Sequence, residues 1–123
     1  MKVLLSIKPE YANKIFSGEK KFEFRKIAFR NTKVHTVVVY STMPVGRIIG
    51  EFSIKHIHKD SPKSIWNRTK KFSGIEEAFF NEYYEGREIA VAIEVDNPVL
   101  YNEPINPKED YVNFTAPQSF MYL

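Results

Sequence analysis

The chain has 123 residues, of which 43% are hydrophobic and 27% charged, and it contains no cysteine. This length predicts a single domain spanning residues 1–123, and the composition is typical of a chain that buries its own core. The absence of cysteine excludes disulfide bonds, thiolate metal sites and cysteine nucleophiles. It also fits the reducing conditions of the cytoplasm, where we expect the protein to be located.

Charge is distributed unevenly along the chain. Residues 1–72 contain 16 lysines and arginines against 5 acidic residues, whereas residues 73–123 contain 2 against 10. Such an asymmetry is typical of a surface that binds nucleic acid or faces a membrane. Because no uncharged run approaches the ~20 apolar residues of a membrane helix, we expect no membrane association. The alternative is that the two segments neutralise one another across the fold.

The first half of the chain predicts one helix and four strands. Pro9 suits the first turn of a helix over residues 10–17, and Gly18 suits its left-handed end. Alternation and β-branched runs predict the strands, of which the last two form a hairpin across a turn at residues 42–46. Strands are expected over residues 3–7, 20–26, 36–40 and 47–59.

The second half predicts two helices and a return to strands. One helix starts at Pro62, and the capping-box spacing of Ser73 and Glu76 starts another, whose aromatic stripe through Tyr84 is expected in the core. Pro98 should end a strand over residues 89–95, leaving 97–107 as a loop before the aromatic segment 114–123 rejoins the sheet. The expected fold class is α+β, a small mixed β-barrel with helices packed at its openings.

Residues 18–25 concentrate the side chains best suited to bind a ligand. Glu23 and Arg25 share one face of the predicted strand, and Lys20 lies at its start. The guanidinium fork of arginine suits phosphate or a base edge, and lysine supplies a compact charge for phosphate. Glu23 would accept from the amino group of a base or orient Arg25. The alternative is an ion pair on the solvent face of the strand.

Gly18, Lys20, Glu23 and Arg25 also match the pattern Gly-x-Lys-x-x-Glu-x-Arg. By this pattern the chain resembles the ASCH family of the PUA-like superfamily, and the resemblance extends to residues 6–9, 40–42 and 117–123. It implies a β-barrel of the PUA-like type with a nucleic-acid-binding cleft beside the first helix. It also implies a role in RNA binding, RNA processing or transcriptional coregulation.

An enzymatic function is the alternative that the resemblance leaves open. Some family members look like hydrolases that cleave RNA or deacetylate acetylated cytidine, and in such a role Lys20 and Glu23 would be the catalytic residues. In the deacetylating branch a threonine nucleophile stands where this chain has Glu23, whose acyl adduct would be an anhydride rather than an ester. That branch also uses a helix glutamate, for which Glu76 or Glu77 is nearest.

Four further residues are predicted to contribute to the nucleic-acid site. Ser6 and Lys8 precede the first helix, where exposed amides and the positive end of the helix dipole favour an anion. Ser41 and Thr42 end a buried strand, so their hydroxyls would meet a phosphate or a ribose, or else cap the turn through their own backbone.

Two other groups of residues have competing interpretations. His56 and His58 share a strand face, but without cysteine or an acidic partner we expect partly buried or base-contacting histidines, with no metal and no other cofactor. A basic cluster around Trp66 combines cations with an aromatic ring, as single-strand-binding surfaces do, although Trp66 also fits a core position. The cluster consists of Lys55, Lys59, Lys63, Arg68, Lys70 and Lys71.

Three functions are therefore carried forward from the sequence. The leading hypothesis is a module that binds RNA or another nucleic acid through a basic cleft. The second is a hydrolase that acts on RNA or a modified nucleoside. The third is a small regulator whose acidic second segment binds a protein partner.

Overall fold

A six-stranded sheet with four short helices forms the framework of the part of the chain that the structure, a computed structural model, describes: residues 1–110 and 114–123. A single 3-10 turn, Lys70–Phe72, follows the second helix. In chain order the elements are β1 Lys2–Ile7, α1 Pro9–Ser17, β2 Phe22–Arg25, β3 Thr36–Ser41, β4 Arg47–Asp60, α2 Pro62–Thr69, α3 Glu77–Tyr83, β5 Ala90–Ile105, α4 Pro107–Asp110 and β6 Phe120–Tyr122.

The strands follow the order β2-β5-β4-β3-β1-β6 across the sheet. β1 runs parallel to β3, and every other neighbouring pair is antiparallel. The long strands β4 and β5 lose register at three places, and such irregularities bend and twist a strand pair. The sheet consequently curls into a half-barrel, which confirms the predicted mixed α+β class.

The first apolar cluster holds α1 against the sheet. Ala12 and Ile15, on one face of α1, are fully buried among the valines of β3. Gly50 of β4 permits this close approach, because a Cβ at that position would lie 2.7 Å from the ring of Phe16. The position of α1 matters because its first turn forms one side of the cleft described below.

A second apolar cluster joins α2 and α3 to β2. Ile65 of α2 and Phe80 of α3 are fully buried, and the Phe80 ring lies edge-on to that of Phe24 at 5.3 Å between centroids. Trp66 packs on Phe80 at 5.0 Å and is partly buried against this cluster, so its interpretation as a core residue is confirmed in part. β2 is thereby held between the sheet and α3.

The predicted loop over residues 97–107 is wrong, because β5 continues to Ile105. Pro98 cannot donate a ladder hydrogen bond, yet it is accommodated where the register of β5 with β4 breaks. Asp96 pairs with Ser53 and Val99 with Glu51, so two residues of β5 face one of β4 at this bulge. Asn97 adopts a positive φ of 47° within it.

The predicted capping box at the start of α3 is also wrong. α3 begins at Glu77, and the Ser73 hydroxyl donates to the carbonyl of Ile75 at 2.9 Å within a separate turn. The aromatic stripe of α3 is only partly core: Phe80 and Tyr84 are buried, but Phe79 is 40% exposed. The stripe covers two faces of the helix, and only one of them meets the sheet.

The remaining expectations agree closely with the structure. The helix after Pro9, the hairpin of β3 with β4 and the return of the terminal segment as β6 beside β1 are confirmed. The strand predicted over residues 20–26 is shorter, since only 22–25 pair with β5. No helix in residues 1–110 or 114–123 is long and apolar enough to cross a membrane.

Candidate nucleic-acid cleft

A cleft of about 260 Å³ lies where α1, β2 and α3 meet. Its floor carries charged side chains from β2 and the residues just before it, and aromatic rings from α1 and α3 form its walls. It is lined by Ser6, Ile7, Lys8, Tyr11, Lys20, Glu23, Phe24, Arg25, Ile75, Phe79 and Tyr83.

Lys20 is held at the buried end of the cleft. α1 ends at Gly18 in the left-handed conformation (φ 90°), after which the Lys20 amide donates to the carbonyl of Lys14 at 3.0 Å. The side chain is only 2% exposed, and its Nζ lies 4.7 Å from the centroid of the Phe24 ring. Desolvation lowers the pKa of Lys20 to about 8, against a smaller opposing effect of the Glu23 carboxylate.

The turn before α3 fixes the position of this lysine. Lys20 Nζ donates to the carbonyl of Ser73 at 2.6 Å. Gly74 packs so closely on the Lys20 side chain that a Cβ at Gly74 would lie 2.6 Å from Cβ of Lys20, and its φ of +67° also favours glycine. Lys14 Nζ secures the turn by donating to the Gly74 carbonyl at 3.2 Å.

Glu23 and Arg25 form an ion pair at the other end of the cleft. Arg25 Nη2 donates to Glu23 Oε2 at 2.9 Å and to the carbonyl of Ser6 at 2.8 Å. The side chains of Arg25 and Glu23 are only 15% and 10% exposed, so this pair is desolvated and does not lie on a solvent face. The Tyr84 hydroxyl supports the strand from below by donating to the Arg25 carbonyl at 2.8 Å.

Three aromatic rings form the walls of the cleft. The rings of Phe79 and Tyr83 are nearly parallel, at 9° and 6.4 Å between centroids, and Tyr11 lies 5.9 Å from Phe79. Burial raises the pKa of Tyr83 above its ordinary value, as expected for a ring packed into the wall of the cleft. Planar apolar surfaces beside buried charged groups suit a flat polar ligand such as a nucleobase.

Five of the seven predicted site residues converge on this cleft. They are Ser6, Lys8, Lys20, Glu23 and Arg25. Ser41 and Thr42 do not line it: Ser41 is 1% exposed within β3, and the Thr42 carbonyl accepts from the Val45 amide at 3.1 Å. This bond closes the turn through the backbone and does not involve the Thr42 hydroxyl.

The sequence reasoning missed the aromatic walls. The aromatic stripe that contains Phe79 and Tyr83 is expected in the core, and no sequence pattern marks Tyr11 as a site residue. Phe79 and Tyr83 are four residues apart, and so are Phe80 and Tyr84, but only the second pair reaches the core. A helix of two turns needs only one such pair to pack on the core. The second aromatic pair was therefore the sequence feature that could have indicated the wall of the cleft.

The other residues considered for chemistry lie outside the cleft. His58 Nε2 lies 2.8 Å from Glu94 Oε1, so the expectation that these histidines lack an acidic partner is wrong for His58. The described part of the chain contains no group of three or more residues suited to hold a metal. Glu76 and Glu77 are exposed, and Glu76 lines a neighbouring groove.

The curled mixed sheet, with helices packed on it and a charged cleft beside its first helix, defines an α+β domain of the PUA-like type. The family model for the ASCH domain matches residues 5–99, and the chain belongs to the ASCH domain family.

Two relatives and a solved structure extend the comparison. The chain is 30% identical to the "ASCH domain-containing ribonuclease" of Zymomonas mobilis, over 98% of this chain and 82% of the relative. It is 32% identical to the protein named large ribosomal subunit protein uL22 in Ureaplasma parvum, of which it spans 39%. The crystal structure of ASCH from Zymomonas mobilis superposes with a TM-score of 0.89 at 30% identity, over 99% of this chain and 87% of that one.

Proposed function

We propose that this domain binds single-stranded RNA and holds one unstacked base in the cleft. The observation that carries the proposal is the combination of a buried carboxylate and three cations with aromatic walls in one cavity of about 260 Å³. Sequence-specific proteins recognise RNA mainly through splayed bases that stack on aromatic rings and form hydrogen bonds along their edges. The name ribonuclease for a relative that matches nearly the whole chain supports RNA as the ligand.

Each charged residue has a distinct role in this proposal. The Glu23 carboxylate accepts from an exocyclic amino group of the base, and Arg25 orients that carboxylate through their 2.9 Å contact. Lys20, donating from the buried end, contacts a carbonyl oxygen or ring nitrogen of the base. Phe79 and Tyr83 supply the stacking surface.

The surrounding surface supports a polyanionic ligand. If the two charge segments of the sequence neutralised one another, ion pairs would join them across the fold. Among the described residues only Glu94 does so, with Lys55 at 3.8 Å and His58 at 2.8 Å, whereas Lys2, Arg25 and Arg68 pair with acids of their own segment. Most of the cations of residues 1–72 therefore remain available to phosphates.

A specific observation also favours a second candidate, RNA hydrolysis. Lys20 has a pKa of about 8, so a fraction of its side chain is an uncharged amine at neutral pH. In that form it would accept the proton of an attacking hydroxyl, while Arg25 would stabilise negative charge on the phosphoryl oxygens. Cleavage by this route would increase with pH through the pKa of Lys20.

One experiment tests both candidates. A fluorescein-labelled single-stranded RNA of mixed sequence and the matched DNA are titrated with protein by fluorescence anisotropy, and each sample is then run on a denaturing gel. The proposal predicts RNA binding that is lost in the double variant Lys20→Ala with Arg25→Ala. The control carries the same charge change outside the cleft, in Arg30→Ala with Lys33→Ala.

The outcomes separate the functions. Intact RNA bound by the wild type and the control, but not by the cleft variant, supports the binding function. Shortened RNA that depends on Lys20 identifies a ribonuclease. Equal binding by the cleft variant and the control, or no binding by the wild type, would contradict the proposal.

A further inference from the structure

A second groove borders the cleft at its Arg25 end, and we name it the Arg87 groove. It has a volume of about 330 Å³ and shares Arg25 and Tyr83 with the cleft. Its other polar lining residues are Lys26, Arg87, Gln118 and Ser119. The two cavities are therefore contiguous, and a ligand whose flat part stacks in the cleft can extend directly into this groove.

The Arg87 groove is positive and contains no acidic lining residue among those the structure describes. Neither Lys26 nor Arg87 forms an ion pair with another described residue, and Lys26 Nζ lies 4.8 Å from the centroid of the Tyr83 ring. Lys26 and Arg87 also line the next groove, together with Glu85 and Glu88, but neither cation forms an ion pair with these glutamates. Three cations thus converge on this groove, and two of them, Lys26 and Arg87, form no ion pair with a described residue.

The placement of Arg87 is unusual for its part of the chain. It is the only lysine or arginine between residues 73 and 107, a segment rich in acidic residues. The fold brings this isolated cation to the two consecutive cations at the end of β2. Cations placed close together repel one another in the free protein, but together they attract an anion.

Arg25 also retains an unused donor. Its Nη2 is engaged by Ser6 and Glu23 and its Nη1 by the carbonyl of Ser119 at 3.4 Å, but its Nε–H is buried and has no partner in the described residues. Buried donors without an acceptor are rare in folded proteins. This unpaired donor belongs to the residue that the two cavities share, but the atom is enclosed by protein and is not open to the groove.

The groove on the opposite side of the cleft differs in charge. It shares Tyr11, Ile75 and Phe79 with the cleft and is larger, at about 590 Å³. Its three lysines face three glutamates in the same lining, so the charges balance. A phosphate gains less there than in the Arg87 groove.

We propose that the Arg87 groove is a phosphate subsite, which holds the phosphodiester next to the nucleotide whose base occupies the cleft. This inference rests on the proposed function and extends it to the path of the strand: the RNA backbone leaves the cleft past Arg25 toward Lys26 and Arg87. The planar forks of Arg25 and Arg87 suit the oxygens of one phosphate group.

The salt dependence of RNA binding tests this subsite. Affinity of the full chain for a fluorescein-labelled single-stranded RNA is measured by anisotropy over a range of salt concentrations, for wild type, Arg87→Gln and the control Arg30→Gln. Arg87 and Arg30 are both exposed and without an ion pair, so neither change should affect folding. We expect Arg87→Gln to bind about tenfold more weakly at low salt and to reduce the slope of log affinity against log salt by about 0.7.

Each outcome decides the question. A lower slope and affinity in Arg87→Gln, with Arg30→Gln unchanged, supports the subsite, and Arg87→Lys should then retain the slope. Equal losses in Arg87→Gln and Arg30→Gln indicate a diffuse positive field and overturn the subsite. RNA binding unaffected by Arg87→Gln overturns the subsite and leaves the proposed function intact, whereas no RNA binding by the wild type overturns both.

Discussion

The two ends of the cleft carry cations in very different surroundings. At one end Lys20 is almost completely buried, donates to a backbone carbonyl and is packed against a turn from a distant part of the chain. At the other end Arg25 is partly exposed and paired with Glu23, and it opens onto the Arg87 groove. The sequence spaces them five residues apart, and nothing in that spacing distinguishes them.

The difference in burial gives Lys20 and Arg25 different chemical properties. Desolvation lowers the pKa of Lys20 to about 8, so that its charge depends on conditions, whereas an arginine stays protonated throughout. The buried end is suited to a short directional contact with a base or to proton transfer. The open end is suited to fixed charge and to phosphate.

The largest expected effect is a loss of stability when the turn that packs on Lys20 is disrupted. Gly74→Ala places a Cβ 2.6 Å from Lys20 in a left-handed backbone conformation, whereas Gly86→Ala shares the positive φ but has open space around the new atom. We expect Gly74→Ala to lower the free energy of unfolding by about 3 kcal/mol and Gly86→Ala by about 1 kcal/mol. Urea denaturation of both variants measures the difference, and equal losses would show that the turn does not fix Lys20.

The second prediction concerns the charge of Lys20. Its pKa is about 8 in the folded state and near 10.5 when unfolded, so the unfolded state binds more protons between these values. The stability of the wild type relative to Lys20→Met should therefore rise by up to roughly 3 kcal/mol as the pH increases from 8 to 10.5. Denaturation curves at several pH values test this, and parallel pH dependence of the two proteins would contradict a buried ammonium.

The third prediction alters the open end while keeping its charge. Arg25→Lys retains a cation but cannot reach Glu23 and the Ser6 carbonyl with one planar fork. We expect about tenfold weaker RNA binding, equivalent to about 1.4 kcal/mol, with only a small change in stability. Anisotropy titration measures this effect. Unchanged affinity would mean that Arg25 contributes charge alone.

The smallest expected effect concerns the aromatic wall between the two ends. Phe79→Ala removes a ring that is 40% exposed, so the fold should tolerate it, but RNA binding should weaken by about 1 kcal/mol through lost stacking. Phe72→Ala is the matched control, since Phe72 is 43% exposed and lies outside the cleft. Equal affinities of the two variants would exclude Phe79 as a stacking platform.

The sequence predicted the fold class and the convergence of the signature residues, because periodicity and spacing are local properties. Glu23 and Arg25 are two residues apart, so a strand there places both on one face, and Lys20 lies just before that strand. The burial of Lys20 could not be predicted, since it depends on Ser73 and Gly74, more than fifty residues away. The extension of β5 past Pro98 likewise depends on a bulge against β4, which no local pattern reveals.

The central claim is that a base of the RNA occupies the aromatic-walled cleft. Ultraviolet crosslinking of bound single-stranded RNA, followed by mass spectrometry of the crosslinked peptides, tests it most directly. We predict crosslinks at Phe79 and Tyr83, reduced in the double variant Lys20→Ala with Arg25→Ala. Crosslinks confined to the basic surface around Trp66, with none in the cleft, would contradict it.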